Sequence, residues 1–434
     1  MVDRVLVLRR FCLVGCGLLS LGLCHLQLLR GAHYRQLAER NRLRVIPERA
    51  PRGLIVDRVG EVMATNTLSF QLAVVPQELP RATDGAPPVV FAALSALVAR
   101  PAKELERSFE RHRSVPFLPA TVMTRVPKAV ALRIEEERWK LPGVVVDTLT
   151  SRHTPFGTSA AHLLGYVGQP SAEIFPALKP YGVRLFDLVG RAGLEEELDA
   201  YLRGRSGGSV VEVDHRARQV RVVGSREPMP GETIVLTIDA KLHAVITHAF
   251  GEQAGAVVVV DPRNGAVLAM VSSPGFDPEA FTAGQNELIQ SLFRDPRAPM
   301  MNRATMGAYP PGSTIKLMTA LIALDEGVIT PQTRIDCPGY LTIGDRRFHC
   351  WNREGHGAVT LQDALRESCN VYFMQVGRRL GLARLRAGLS AVGFGKRTGW
   401  LLEEQAGHLP GGRRFSEGEV ALLALGQGEV SVSP

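Results

Sequence analysis

The stretch YPPGSTIKLMTALIALDEG, residues 309–327, decides how the chain is read. A Pro-Pro-Gly turn runs into an apolar segment with helical spacing, and Ser313 stands at its head with Lys316 three residues on. Positions i and i+3 share one helix face, so the spacing predicts side chains that meet. Ile315, Met318 and Ile322, with Leu317, Leu321 and Leu324, are expected to seat the remaining faces in a core. A helix N-terminus favours developing negative charge through its unpaired N–H groups and its dipole. A serine hydroxyl becomes a nucleophile once a base takes its proton, and a lysine discharged by burial can be that base. The same four residues also suit an ordinary serine cap followed by a solvated lysine.

The downstream sequence separates the two readings. TLQDALRESCNVYFMQVG, residues 360–377, sets Ser368 and Asn370 between two helical stretches, the first opened by a Thr360-to-Asp363 capping pattern. An S-x-N triplet there adds a hydroxyl able to relay a proton and an amide able to hold a carbonyl. S-x-x-K followed by S-x-N is the signature of penicillin-binding proteins and class A β-lactamases.

The rest of the chain supplies the frame. Its 434 residues, 45% hydrophobic and 22% charged, suffice for two or three folded units and exclude a disordered chain. The net charge of +8 comes from scattered basic residues without a run resembling a nucleic-acid arm, so no nucleic-acid partner is expected. FCLVGCGLLSLGLCHLQLL, residues 11–29, reads as a transmembrane signal anchor rather than a cleaved signal, because no small-x-small site follows it. Arginines flank both of its ends, so charge leaves the topology open. From 42 to 281, short β-rich runs alternate with charged helical stretches, an α+β pattern. REPMPGE, residues 226–232, marks a boundary near Pro230, and GAVVVVDPRNGAVLAMVSSP, residues 255–274, reads as a hairpin.

On these motifs the sequence resembles the class B penicillin-binding proteins, in particular penicillin-binding protein 2 of the cell-elongation machinery. The resemblance extends beyond the catalytic motifs to ERAPRGLIVDRVGEVMATN (48–66), GTSAAHLLGYVG (157–168) and GRAGLEEELDAYLRG (190–204), which match that family's non-catalytic pedestal. It implies a cytoplasmic N-terminus at 1–10, an anchor at 11–29, an elongated α+β pedestal or dimerisation domain at 30–229, and a β-lactamase-like transpeptidase domain at 230–434. It also implies a location in the cytoplasmic membrane with the bulk outside. Ser313 is then the nucleophile toward D-alanyl-D-alanine stem peptides of peptidoglycan and toward β-lactams. Lys316 is its base, Ser368 relays the proton and Asn370 holds the substrate. The implied partners are a membrane-embedded glycan polymerase and rod-shape proteins.

One family element departs from the pattern. The Lys-Thr/Ser-Gly motif is represented only by GFGKRTGW, residues 393–400, where Arg397 separates Lys396 from Thr398 and would flip the alternating strand faces. The true motif strand is expected beyond ALGQGEVSVSP, so the transpeptidase domain reads as C-terminally truncated and this chain as inactive by itself. A non-catalytic scaffold that binds a polymerase and a penicillin sensor are the competing readings.

Three cysteines lie outside the apolar run, at Cys337, Cys350 and Cys369. An odd number points to a metal, a free thiol, or one disulfide with a thiol left over. With His356 they make a Cys₃His set suited to a closed tetrahedral Zn²⁺ site, although the spacing is not that of a zinc finger. Some relatives of the penicillin-binding protein 2 type hold zinc beside the active site through aspartates, a histidine and a cysteine. The resemblance maps those ligands onto Cys337, Cys350, His356 and Cys369, with cysteines replacing two of the aspartates. His349 is a spare candidate that is expected to point away.

Overall fold

The computed structural model describes residues 2–79, 89–113, 119–183, 187–214, 219–411 and 413–434. Two compact units emerge, each assembled from three separate stretches of chain: 1–53, 66–151 and 203–232 in the first, and 54–65, 152–202 and 233–434 in the second. Both mix helices and strands, as the alternating pattern implies.

In the first unit, strand Gly207–Val213 is flanked by Leu43–Glu48 and Gln219–Arg226, all antiparallel. A second cluster forms where the strand ending at Val74 pairs with Ala120–Val126, and helices Val89–Val98, Ala102–His112 and Lys128–Glu136 close over it. Leu72, Phe91, Leu94, Leu105, Phe109 and Ile134 fill the space between.

The second unit has two cores. In one, Ile55, Met63, Leu164, Leu194 and Leu202 pack with Met270, Ala304 and Leu402. The Pro-Arg-Asn-Gly turn makes the expected hairpin, Gly255–Val260 against Val267–Ser273. In the other core, helix Ile315–Asp325 lies against the long helix Asn370–Ala391, with Ile315, Ile322, Val371, Phe373, Leu385 and Leu389 between them. The long helix kinks at Gly381, which adopts φ +72°.

One expectation requires correction, and a second is left open. Leu317 and Leu321 remain 56% and 57% exposed, because helix Ile315–Asp325 buries the faces carrying Ile315, Thr319 and Ile322. The apolar run at 11–29 is not one α-helix: helix Val2–Cys24 gives way to π-helical His25–Leu29. Only 14 apolar-run residues, Phe11 to Cys24, stay α-helical, a rise of roughly 21 Å. Among the described residues no helix is long and apolar enough to cross a membrane.

Candidate active site

The turn carrying Ser313 is fixed from behind. Gly312–Thr314 forms a 3₁₀ turn that feeds helix Ile315–Asp325. The Gly312 N–H donates to the Gly426 carbonyl at 3.0 Å, and Tyr309 and Val432 exchange backbone hydrogen bonds at 2.8 and 2.9 Å. Deeper in the helix, the buried Thr319 hydroxyl donates to the Ala424 carbonyl at 3.1 Å. Gly426 adopts φ +70°, and a Cβ there would collide with the Gly312 backbone. The Gly-Gln-Gly run at 426–428 was the available signal for this support, and sequence reasoning passed over it.

The second motif arrives on a chain reversal. A capping box between Thr360 and Asp363 starts helix Leu361–Arg366. The chain then turns at Ser368, whose φ of +49° lies in the left-handed region, and restarts as a helix at Asn370 with Cys369 as its N-cap. Asn370 is thereby held at a helix start, two residues beyond a strained serine.

Lys316 joins the two motifs. Its ammonium donates to the Ser368 carbonyl and Ser368 Oγ, both at 2.9 Å, and to Asn370 Oδ1 at 2.8 Å. Ser368 Oγ in turn donates to Ser313 Oγ at 3.3 Å. The spacing predicts direct contact between Ser313 and Lys316, whereas among the described residues Ser368 stands between them. Ser313 belongs to the 3₁₀ turn ahead of the α-helix, so the regular i, i+3 geometry does not apply to it. Lys316 is 3% exposed and its Nζ lies 5.8 Å from the Phe373 ring centroid. Burial holds its pKa below the usual lysine range, although the neighbouring Cys350 and Cys369 work in the opposite sense.

The same reversal carries the cysteine cluster. The ligand-type atoms of Cys337, Cys350, His356 and Cys369 all lie within 4.8 Å of one another. His356 Nδ1 faces the sulphurs of Cys337 and Cys350 at 3.5 and 3.6 Å, and the three thiols are free and buried. Burial pushes the Cys350 thiol up, but backbone N–H groups of Asn370, Val371 and Asn352 more than offset it and hold the thiol below its ordinary value. Burial pushes Cys369 up to about 12. His349 lies outside the cluster, exposed and paired across a strand with Tyr340.

Two further placements bear on the cleft. Lys396 and Thr398 of GFGKRTGW lie in irregular chain instead of a strand, with the Thr398 hydroxyl and the Gly399 N–H both donating to Glu404. Trp351 Nε1 donates to the Glu367 carbonyl at 2.8 Å, bracing the residue before Ser368. Sequence reasoning missed that brace, because nothing in the spacing links position 351 to 367.

Residues 47–236 match the family described as the penicillin-binding protein dimerisation domain, and residues 255–434 match the penicillin binding protein transpeptidase domain. The peptidoglycan D,D-transpeptidase MrdA of Escherichia coli K12 is 32% identical over 451 residues, which span 100% of this chain and 70% of that protein. The Haemophilus influenzae MrdA is 33% identical, over 96% of this chain and 66% of its own length. Stage V sporulation protein D of Bacillus subtilis is 28% identical over 99% of this chain and 63% of its own. Among solved structures, Helicobacter pylori penicillin-binding protein 2 in complex with MreC superposes with a TM-score of 0.79 at 26% identity, covering 90% of this chain and 74% of that one. With a transpeptidase-family match over the Lys316 network and a dimerisation-family match ahead of it, the chain belongs to the class B penicillin-binding proteins of the penicillin-binding protein 2 type.

Proposed function

We propose that this protein is a serine-type peptidoglycan D,D-transpeptidase serving cell elongation. The observation that carries the reading is the buried Lys316, bonded at once to Ser368 and Asn370, with Ser368 bonded to Ser313. For acylation the hydroxyl rotors reverse. Ser313 donates to Ser368 Oγ, Ser368 donates to a neutral Lys316, and Ser313 Oγ attacks the D-alanyl-D-alanine carbonyl. The C–N bond breaks, D-alanine leaves with the relayed proton, and an amine of a second stem peptide takes the acyl group to complete the cross-link. Asn370 Oδ1 serves Lys316, so its donor end, Nδ2, is the part suited to a substrate carbonyl. Incubation of the full-length protein with fluorescent penicillin tests the reading: a stoichiometric adduct on Ser313 supports it, and none on the folded full-length protein removes it.

The support around the nucleophile makes a further expectation concrete. Gly426→Ala should push the Gly312 backbone and displace Ser313, lowering penicillin acylation on the order of 10²-fold. Stopped-flow acylation of the folded variant checks this; a rate equal to the parent's would contradict it.

Cys337, Cys350, His356 and Cys369 would hold a structural zinc ion. The fit rests on three thiols and one imidazole nitrogen gathered within 4.8 Å, with Nδ1 facing the sulphurs. A zinc bound there supplies a closed four-ligand clamp, and Cys369 would tie it to the turn carrying Ser368. Metal analysis of protein purified under reducing, chelator-free conditions should return about one zinc per chain, lost in Cys350→Ser. A metal-free parent, or a mapped disulfide between any two of these cysteines, would rule the site out.

The location we infer is the cytoplasmic membrane, with the N-terminal segment as a single anchor and the bulk outside; support comes from the helical path 2–29 with Leu18, Leu19, Leu21, Leu28 and Leu29 exposed along it. Rod-shape proteins are the expected partners, as the complex of the Helicobacter pylori relative with MreC suggests. A membrane-embedded glycan polymerase is the second, and co-purification from native membranes in mild detergent tests both.

A further inference from the structure

Helix Gly193–Glu197, from the stretch matched to the pedestal, lies in the same unit as Ser313, and it shares a cavity of about 520 Å³ with the run MMNRATM, residues 300–306, that leads into the serine turn. Phe276, Met300, Met306 and Leu402 supply its apolar lining. The Gln405 N–H donates to the Thr305 carbonyl at 2.8 Å and holds the chain after Leu402 against that wall. Glu196, Glu197 and Glu403 also line the cavity, exposed to solvent, and none of them makes an ion pair among the described residues. Arg191 is the only lysine or arginine in the lining, so three carboxylates face one guanidinium. Burial and then the Glu197 carboxylate push Glu196 above its ordinary value, with Arg191 only partly offsetting them.

Three buried polar atoms of residues lining the same cavity have no hydrogen-bond partner among the described residues: His162 Nδ1, Asn302 Oδ1 and Thr305 Oγ1. His162 and Thr305 are only 7% and 6% exposed, so water does not satisfy them from the surface. All three are free to accept. His162 Nε2 lies 2.8 Å from the Pro299 carbonyl, which only accepts, so that nitrogen carries the proton and Nδ1 the lone pair. Burial pushes the imidazole down to about 4, which keeps the ring neutral near pH 7. Asn302 Nδ2 donates to the His162 carbonyl at 3.5 Å, leaving its oxygen as the free end. Leaving buried acceptors unpaired is costly, and a ligand rich in N–H donors would relieve that cost.

We propose that this cavity binds a small aliphatic diamine. Its ammonium groups donate to the carboxylates and to the unpaired acceptors, its two charges match the surplus of carboxylates over guanidinium, and its methylenes pack on methionine and phenylalanine. The volume falls in the range of small-molecule sites, roughly 300–1,000 Å³. A metal ion is the poorer occupant: among the described residues only the cysteine cluster brings three or more His, Cys, Asp or Glu ligand atoms within 4.8 Å of one another, so these carboxylates are too dispersed to share one ion. The site has no residue in common with Ser313, Lys316, Ser368 and Asn370, and the inference does not depend on the transpeptidase reading.

The test titrates the diamine cadaverine into the full protein by calorimetry at low ionic strength, with pentanediol as its uncharged counterpart and magnesium chloride as a metal competitor. The parent should bind cadaverine saturably, one per chain, and bind pentanediol at least about tenfold more weakly. Glu196→Gln combined with Glu403→Gln should weaken cadaverine binding by about tenfold, and Thr305→Val should do the same. Neither variant should melt below the parent, because the two glutamates are exposed and unpaired and the Thr305 hydroxyl has no partner to lose. Absence of saturable binding in the parent would overturn the proposal. So would unchanged affinity in either variant, which marks nonspecific charge attraction, equal binding of pentanediol, which marks a merely apolar cavity, or displacement of cadaverine by equimolar magnesium, which marks a metal site.

Discussion

Replacing Ser313 by alanine is expected to abolish the covalent penicilloyl adduct and to reduce transpeptidation on the order of 10⁶-fold, the scale set by removing a serine nucleophile elsewhere. Ser313 is exposed at the head of its helix, and its side chain is bonded only to Ser368 among the described residues, so little packing is lost with it. The melting temperature should therefore stay close to the parent's while labelling disappears. Ser368 and Lys316 remain bonded to each other in that variant, so retained labelling could not be assigned to a disturbed cleft. An adduct on the alanine protein, located by mass spectrometry, would show that another group is the nucleophile.

Lys316→Met carries the second large effect. Loss of a positioned base lowers the rate by about 10²–10⁴-fold, and here it also leaves the Ser368 carbonyl and Asn370 Oδ1 without their buried donor. Acylation should fall within that range or beyond it, and the protein should lose stability as well. Lys316→Arg is not a rescue, because a guanidinium keeps its proton. The pH profile separates the chemical loss from the structural one. Burial lowers the Lys316 pKa in the folded protein, so the neutral, proton-accepting form grows as pH rises through that lowered value. In the parent, acylation should climb with pH on a limb that begins below the range of an exposed lysine. The methionine variant should lack that limb, and a parent rate flat across neutral and alkaline pH would remove Lys316 as the base.

The candidate catalytic residues were legible because the chemistry proposed for them is written in short, ordered motifs. Ser313, Lys316, Ser368 and Asn370 are close in space for reasons that spacing only partly encodes. The i, i+3 rule brings Lys316 into the cleft, but the 3₁₀ turn at Gly312 moves Ser313 off the regular face, and only a chain reversal at positive φ inserts Ser368 between them. The cysteine cluster was legible from residue type and number. Its members come from a strand end, a loop and a helix cap, which no local pattern predicts to converge. Leu317 and Leu321 misled the reading, since an apolar residue on a helix says that a face is available for burial and not that it is buried. The supports at Gly426, Thr319 and Trp351 stayed hidden because each acts through backbone carbonyls far along the chain.

The woven path of the chain limits how it can be cut. Ile55, Met63, Leu164, Leu194 and Leu202 complete one hydrophobic cluster with Met270, Ala304 and Leu402, so the unit holding Ser313 draws one of its two cores from residues made long before Ser313 is. A ribosome releasing residues 54–202 delivers half of a core whose other half does not yet exist, and those apolar side chains must wait in the open. A gene fragment starting at Thr233 would inherit the converse problem, with Met270, Ala304 and Leu402 facing water. The matched family segments, which follow one another along the sequence, are thus not interchangeable parts, and chimeras joined between residues 236 and 255 would inherit a mismatched core.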